Sequence, residues 1–235
     1  MAFFIPKNMQ LNKIIFDVRE QVNQYAGDSE IDDRYIIYLY GIKRAKYLRQ
    51  QLNNLQSTID NSVLQTLCLE LKEVSLNECS SDLDCGTIMR TTRKVPKPLD
   101  TQIKQMITSV KPITRIATPF NFVSKSQVNY SKYSSFNKSI YSFLDNDGYI
   151  YVVSESESVK LLECITITGV FEDPLELSSY SNCCGCEIPK PCFDEMESDY
   201  PLQAHYIDLI REEIVNTLIG KLKLPEDKEN NSNDE

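Results

Sequence analysis

At 235 residues with 41% apolar side chains, the chain can bury one large core or two small ones, which excludes a disordered protein. Only 7 glycines leave few places where backbone could wrap a phosphate, which argues against a nucleotide-binding loop. The net charge of −9 is uneven: residues 155–235 hold 19 acids and 6 bases, whereas residues 1–154 hold 15 acids and 19 bases. Poles of opposite sign suit head-to-tail packing, or else mark a solvated acidic C-terminal third.

The opening Met-Ala-Phe-Phe-Ile-Pro has no basic n-region or long apolar segment, and no stretch approaches the ~18 apolar residues of a membrane span. The expectation is a cytoplasmic chain, clear of membranes, whose 8 cysteines are thiols. Leu11, Ile14, Ile15, Val18, Val22 and Tyr25 recur at helical spacing over residues 10–25. After a break at 26–29, Ser29 and Asp32 have the character of a helix N-terminus. A second helix is expected from Ile31 to about Leu55, with Tyr35, Tyr38, Leu39, Ile42, Ala45, Leu52 and Leu55 on its apolar side. So short a turn predicts an antiparallel pair.

Beyond Asp60 the period changes. Leu67, Leu69 and Leu71 alternate with Cys68, Glu70 and Lys72, as in a half-buried strand. Thr87–Val95 is β-rich, and Ile113–Ala117 is a further short candidate. Residues 124–142, rich in Ser, Asn, Lys and Tyr, read as a long surface loop. Asp145-Asn146-Asp147-Gly148 between aromatic-rich runs predicts a hairpin over Phe143–Val153. Leu162–Phe171 alternates as a central strand. A cysteine-rich loop over 178–200 follows, then a helix opened by Pro201, with Tyr206, Ile207, Ile210, Ile214, Leu218 and Leu222 on one side. Pro225 ends it before a polar, acidic tail.

Helices, then strands, then a helix, without βαβ alternation, make an α+β fold with a mostly antiparallel sheet section. The expected organisation is one domain over 1–224: helices at 10–57 and 201–223, a β section at 60–177 and the cysteine loop at 178–200. Residues 225–235 form an extended acidic tail.

No chemistry-bearing constellation stands out. His205 is the one histidine; no nucleophile elbow or paired acid accompanies it, so no catalytic residue is assigned and no enzyme is expected. Asp145–Gly148 superficially opens a calcium loop, but the fifth and twelfth positions are Tyr149 and Ser156 rather than liganding groups. Cys183, Cys184, Cys186 and Cys192 are close enough for zinc to be considered, with Cys79 and Cys85 as a second pair. Their spacing is not that of a two-pair ribbon, so reduced thiols are expected and no cofactor is assigned. Lys43, Arg44, Lys46 and Arg49 place four cations within two turns. They could meet phosphates, but no base-reading element accompanies them in an acidic chain, and a protein contact fits better. Glu226, Asp227, Glu229, Asp234 and Glu235 are the matching partner-binding candidates in the tail.

Several segments then carry a resemblance. They are Tyr-Ile-Ile-Tyr-Leu-Tyr-Gly-Ile-Lys-Arg-Ala-Lys-Tyr-Leu-Arg (35–49), Cys-Leu-Glu-Leu (68–71), Arg-Thr-Thr-Arg-Lys-Val-Pro-Lys-Pro (90–98), Asp-Gly-Tyr-Ile-Tyr-Val-Val-Ser (147–154), Gly-Val-Phe-Glu-Asp-Pro (169–174), Asp-Tyr-Pro (199–201) and the closing Asn-Asp-Glu. The set resembles the head-to-tail connector proteins, the neck ring or adaptor proteins, of crAss-like bacteriophages. The resemblance implies a virion structural protein assembled in the bacterial host cytoplasm. It implies a ring of copies, twelvefold as portals are, around the DNA channel. Its implied partners are the portal and other neck or tail rings, with at most non-specific contact to DNA. The alternative is a small cytoplasmic metal- or nucleic-acid-binding regulator that uses the 183–192 cysteine loop and the 43–49 basic patch.

Overall fold

The computed structural model describes residues 9–26, 31–53, 59–74, 87–102, 105–113, 118–131, 139–154, 157–180 and 196–222. The cysteines at 79, 85, 183, 184, 186 and 192, Ser29, Leu55, residues 114–117 and the tail from 223 lie outside them. The fold is α+β. Within the span read as one body from the sequence, packing separates two compact units, residues 1–47 with 196–235 and residues 48–195.

The first unit is helical. Helix α1 (Leu11–Ala26) buries Leu11, Ile14, Ile15, Val18 and Val22 as its period predicts, and leaves Tyr25 exposed. Its first N–H groups need no side-chain cap. Leu11 and Asn12 donate to the carbonyls of Ser198 and Met196 at 3.2 and 2.9 Å, and Tyr200 donates to Met9 at 2.9 Å. Helix α2 (Asp33–Leu52) starts on Asp32, whose carboxylate accepts from the Arg34 N–H at 2.9 Å; its residues from Leu48 on belong to the second unit. Helix α4 (Ala204–Leu222) buries Ile207, Ile210, Ile214 and Leu218.

Two helix expectations need correction. The buried stripe of α2 is Ile36, Tyr40, Arg44 and Leu48, while Tyr38 and Ile42 are 61% and 48% exposed. Apolar residues lie all round this helix, so its periodicity does not single out one face. Pro201 does not open α4 either. It lies in a bend three residues before Ala204, where Leu202 donates to the Tyr200 carbonyl at 2.8 Å.

The second unit holds one seven-stranded sheet. Its strands are β1 (Gln65–Glu73), β2 (Thr87–Thr91), β3 (Ile107–Pro112), β4 (Asn121–Phe122), β5 (Tyr141–Leu144), β6 (Ile150–Ser154) and β7 (Cys164–Gly169), in the order β3-β7-β1-β2-β6-β5-β4. All pairs are antiparallel except β4 with β5. β1 is shared along its length: Gln65–Glu70 pair with β7 and Leu71–Glu73 with β2. The two edges return toward each other, and the Phe120 N–H donates to the Val110 carbonyl at 2.8 Å. One face of this rolled sheet therefore encloses Leu67, Leu69, Leu71, Met89, Val110, Ile150, Val152, Ile165 and Ile167. The other face, over β2, β5 and β6, carries Ile88, Phe143, Tyr151 and Val153. The hairpin forms where the sequence places it, with Gly148 at φ 85° in the turn.

That second face is covered by Val128 of helix α3 (Lys125–Ser131), which corrects the reading of 124–142 as loop. Gln127 caps the start of this helix, its Oε1 accepting from the Ser124 N–H at 3.0 Å. The third strand ends at Pro112, just before the Ile113–Ala117 stretch expected to be extended. Cys164 is not in a disulfide, but Cys68 is disulfide-bonded. That departs from thiols throughout; a compartment argument excludes disulfides only while a chain stays in a reducing environment.

Candidate functional site

The four cations of 43–49 do not form one exposed patch. Spacing on a helix turns each to a different neighbour. In the helical unit Lys43 forms an ion pair with Glu213, Lys46 lies 3.5 Å from the same carboxylate, and the Tyr47 hydroxyl donates to it at 3.2 Å. The Lys43 hydrogen bond, with both lysine charges, holds the Glu213 carboxyl below the usual carboxylate range. Arg44 is fully buried, with its Nε donating to the Pro201 carbonyl at 3.0 Å. The adjacent Tyr40 packs edge-on to Tyr200 at 6.1 Å, and burial pushes its phenol well above its ordinary value.

Arg49 belongs to the sheet unit. Its guanidinium pairs with Glu172, whose other oxygen lies 3.1 Å from Lys97, and its Nε donates to the Asp100 carbonyl at 3.3 Å.

A second basic group was not assigned a role from the sequence. After β2 the chain runs beside the β5–β6 turn, with Val95 donating to the Gly148 carbonyl at 2.8 Å. Val95, Pro96, Pro98 and Leu99 turn inward, which leaves Arg93, Lys94 and Lys97 exposed. Tyrosines back the cations. The Arg90 guanidinium lies 4.6 Å from the Tyr149 ring centre, Arg93 4.3 Å from Tyr180, and Lys94 5.9 Å from Tyr149. The Tyr180 hydroxyl donates to the Lys94 carbonyl at 2.9 Å, tying the strip to the fold. The signal for it was present: Arg90 to Lys97 holds four cations and no acid.

The carboxylates of the Asp145–Gly148 turn have internal tasks. Asp145 takes Lys125 at 2.8 Å, and Asp147 accepts from Tyr151 at 2.6 Å and from the Tyr149 N–H at 2.9 Å. His205 is exposed, its ring centre 4.0 Å from that of Tyr206 with the planes tilted by 39°. Among the described residues no group of three or more His, Cys, Asp or Glu could hold a metal ion, and no helix is long and apolar enough to cross a membrane. The candidate zinc cysteines and the tail acids lie outside those residues.

Charged side chains tied into the fold, with an exposed cationic strip beside them, are features of a component that works through surfaces. Comparison with known proteins gives that class a family. Residues 13–235 match the family described as phage tail ring protein 2 of crAss-like phages. The chain is also 26% identical to "Ring protein 2" of Bacteroides phage crAss001 over 230 residues, 97% of this chain and 98% of that relative. The chain belongs to the crAss-like phage tail ring protein 2 family, and is a structural ring protein of the virion.

Proposed function

We propose that this ring protein is an adaptor of the phage neck, which binds the portal and links capsid to tail around the DNA channel. The family match over nearly the whole chain carries the reading. Copies form a closed ring, and a ring against a twelvefold portal takes twelve of them. Closed rings need two different, complementary surfaces on each copy, which a chain with poles of opposite charge can supply. The Lys43–Arg49 segment and the tail acids Glu226, Asp227, Glu229, Asp234 and Glu235 are read as partner contacts. With Arg44 buried, Lys46 is the most exposed donor in the first turns of that segment. The protein acts by assembly and not by catalysis. Its partners are copies of itself, the portal and neighbouring rings, and DNA in the channel is touched at most without sequence choice. The protein is assembled in the host cytoplasm.

The test is to co-express the chain with the portal of the same phage and image the complex by electron microscopy. A ring of this chain stacked on the portal and surrounding the channel is the expected result. A chain that stays monomeric with the portal present, or a ring that binds only tail components, refutes the adaptor role.

A further inference from the structure

We infer that the basic, tyrosine-backed strip from Arg90 to Lys97 is the receptor for the acidic C-terminal segment of the adjacent copy in the ring. The inference rests on the ring reading above and names the contact that closes it.

The strip offers Arg90, Arg93, Lys94 and Lys97, and Arg49 meets Lys97 through Glu172. Among the described residues the carboxylates close to it are Glu172, Asp147 bound to Tyr151, Glu176 close to Tyr180, and Asp173 near Glu176. Lys94 is exposed, and among the described residues no carboxylate lies within ion-pair distance of it. The aromatic rings beneath the cations hold them in place and limit the freedom lost on binding.

The complementary chemistry is in the same sequence. Residues 226–235 carry five acids and one lysine, interspersed with Asn230, Asn231, Ser232 and Asn233. Carboxylates separated by amides and a hydroxyl can meet scattered guanidinium and ammonium groups, and can also hydrogen-bond to the carboxylates between them. A phosphodiester backbone has no donors and would be repelled by Glu172 and Glu176. The net charge of −9 adds to that repulsion, so an acidic peptide fits better than DNA.

The choice of a neighbouring copy follows from ring geometry. A heterologous interface has a giving and a receiving surface on every subunit. Helix α4 ends at Leu222 in the helical unit and the strip belongs to the sheet unit. The thirteen residues that follow Leu222 can span at most roughly 45 Å when extended.

Three chains test this. One has the strip reversed (Arg93→Glu with Lys94→Glu), one has the tail reversed (Glu226→Lys, Asp227→Lys and Glu229→Lys), and one carries both sets. All substituted positions are exposed or in the tail, and thermal melting checks that each chain folds. A fluorescent peptide of residues 224–235 is first titrated into the tail-reversed full chain. Saturable binding should weaken at least about tenfold when the strip is also reversed, and also between low and high salt. Equal binding to both chains, or none at millimolar peptide, overturns the inference whatever the ring does.

Sedimentation then reads assembly. Each single reversal should lower ring formation, and a 1:1 mixture of the two should restore it, because every acidic segment again meets a basic one on its neighbour. Restoration in the doubly reversed chain but not in the mixture would place the contact within one chain and overturn the neighbour assignment. A strip reversal that no tail reversal rescues, with loss of retention on duplex DNA, would assign the strip to DNA. An unsubstituted chain that never assembles, alone or with the portal, while the peptide still binds the strip, refutes the ring reading and not the strip as receptor.

Discussion

Replacing Gly169 by alanine should destabilise the sheet unit, and the structure sets the size. Gly169 ends β7, paired with Gln65 on one side and Ile107 on the other. A Cβ there would sit 2.6 Å from the Met106 carbonyl oxygen and 3.3 Å from the Ile107 Cα. Both are backbone, so no side chain can swing aside. The Met106 carbonyl is also held by the Val170 N–H at 2.9 Å. Moving it would disturb the register shift between Ile107 and Ser109, where the Thr108 hydroxyl donates to the Thr168 carbonyl at 2.9 Å. Overpacking a tight site costs about 1–3 kcal/mol, and a clash with hydrogen-bonded backbone belongs at the upper end. Gly41 is the internal control. It lies mid-helix in α2 with nothing within 4 Å of an added Cβ, so Gly41→Ala should stabilise by about 0.5–1 kcal/mol. Urea unfolding followed by far-ultraviolet circular dichroism reads both. Opposite signs support the packing argument; a Gly169→Ala chain within about 0.5 kcal/mol of the parent refutes it.

Two pH limbs follow from buried and paired groups. Burial, reinforced by the hydrogen bond to Asp147, pushes the Tyr151 phenol up to about 12. Its unfolded value is about 10, so this stability is fully present below pH ~10 and lost as the pH rises through the folded value. Tyr151→Phe should flatten that limb of the stability curve, and an unchanged alkaline slope would refute the assignment. Glu213 has the opposite sign: its folded value is depressed by Lys43, then Lys46 and Tyr47. Its stability is therefore present above about pH 4.3 and lost as the pH falls through the folded value. The carboxylate is partly exposed, so Glu213→Gln should remove no more than about 1 kcal/mol at neutral pH and shallow the acid limb. Thermal melts from pH 7 to 3 check it, and an acid limb as steep as the parent's would be evidence against the cluster.

The elements legible in the sequence were those whose burial is one-sided and whose turns have strong local chemistry. β1 has one alternating face, and the Asp145–Gly148 turn needs a residue at positive φ, which glycine supplies. α1 has a clean stripe. α2 does not, because Tyr38 and Ile42 face solvent while Arg44 faces inward. An arginine can lie in a core stripe when a backbone carbonyl such as that of Pro201 receives it, and no periodicity announces such a partner. α3 is seven residues long with Val128 and Tyr130 as its apolar residues, too short for a helical period to stand out from the Ser- and Asn-rich composition around it. The separate surroundings of the four cations were hidden for the same reason as the α2 face. Four cations close in sequence looked like one surface, but the fold sends Lys43 to Glu213, Arg44 to Pro201 and Arg49 to Glu172.

This distribution separates two tasks that charge performs in a ring protein. Cations already bound to Glu213 and Glu172 contribute little net stability, since exposed ion pairs are worth at most about 1 kcal/mol, but they fix the positions of the side chains around them. In the strip at 90–97, Arg90, Arg93 and Lys94 each lie over a tyrosine ring. Such charge sets which surface meets which, and screening weakens it: the Debye length falls from ~10 Å at 0.1 M salt to ~3 Å at 1 M. A contact built from it alone would dissolve in salt. Tyr38 and Ile42 lie one turn apart on α2 and are the exposed apolar pair the sequence had placed in the core. Apolar area removed from water is stabilised without charge, so a surface that covers such a pair holds where a charged contact is screened.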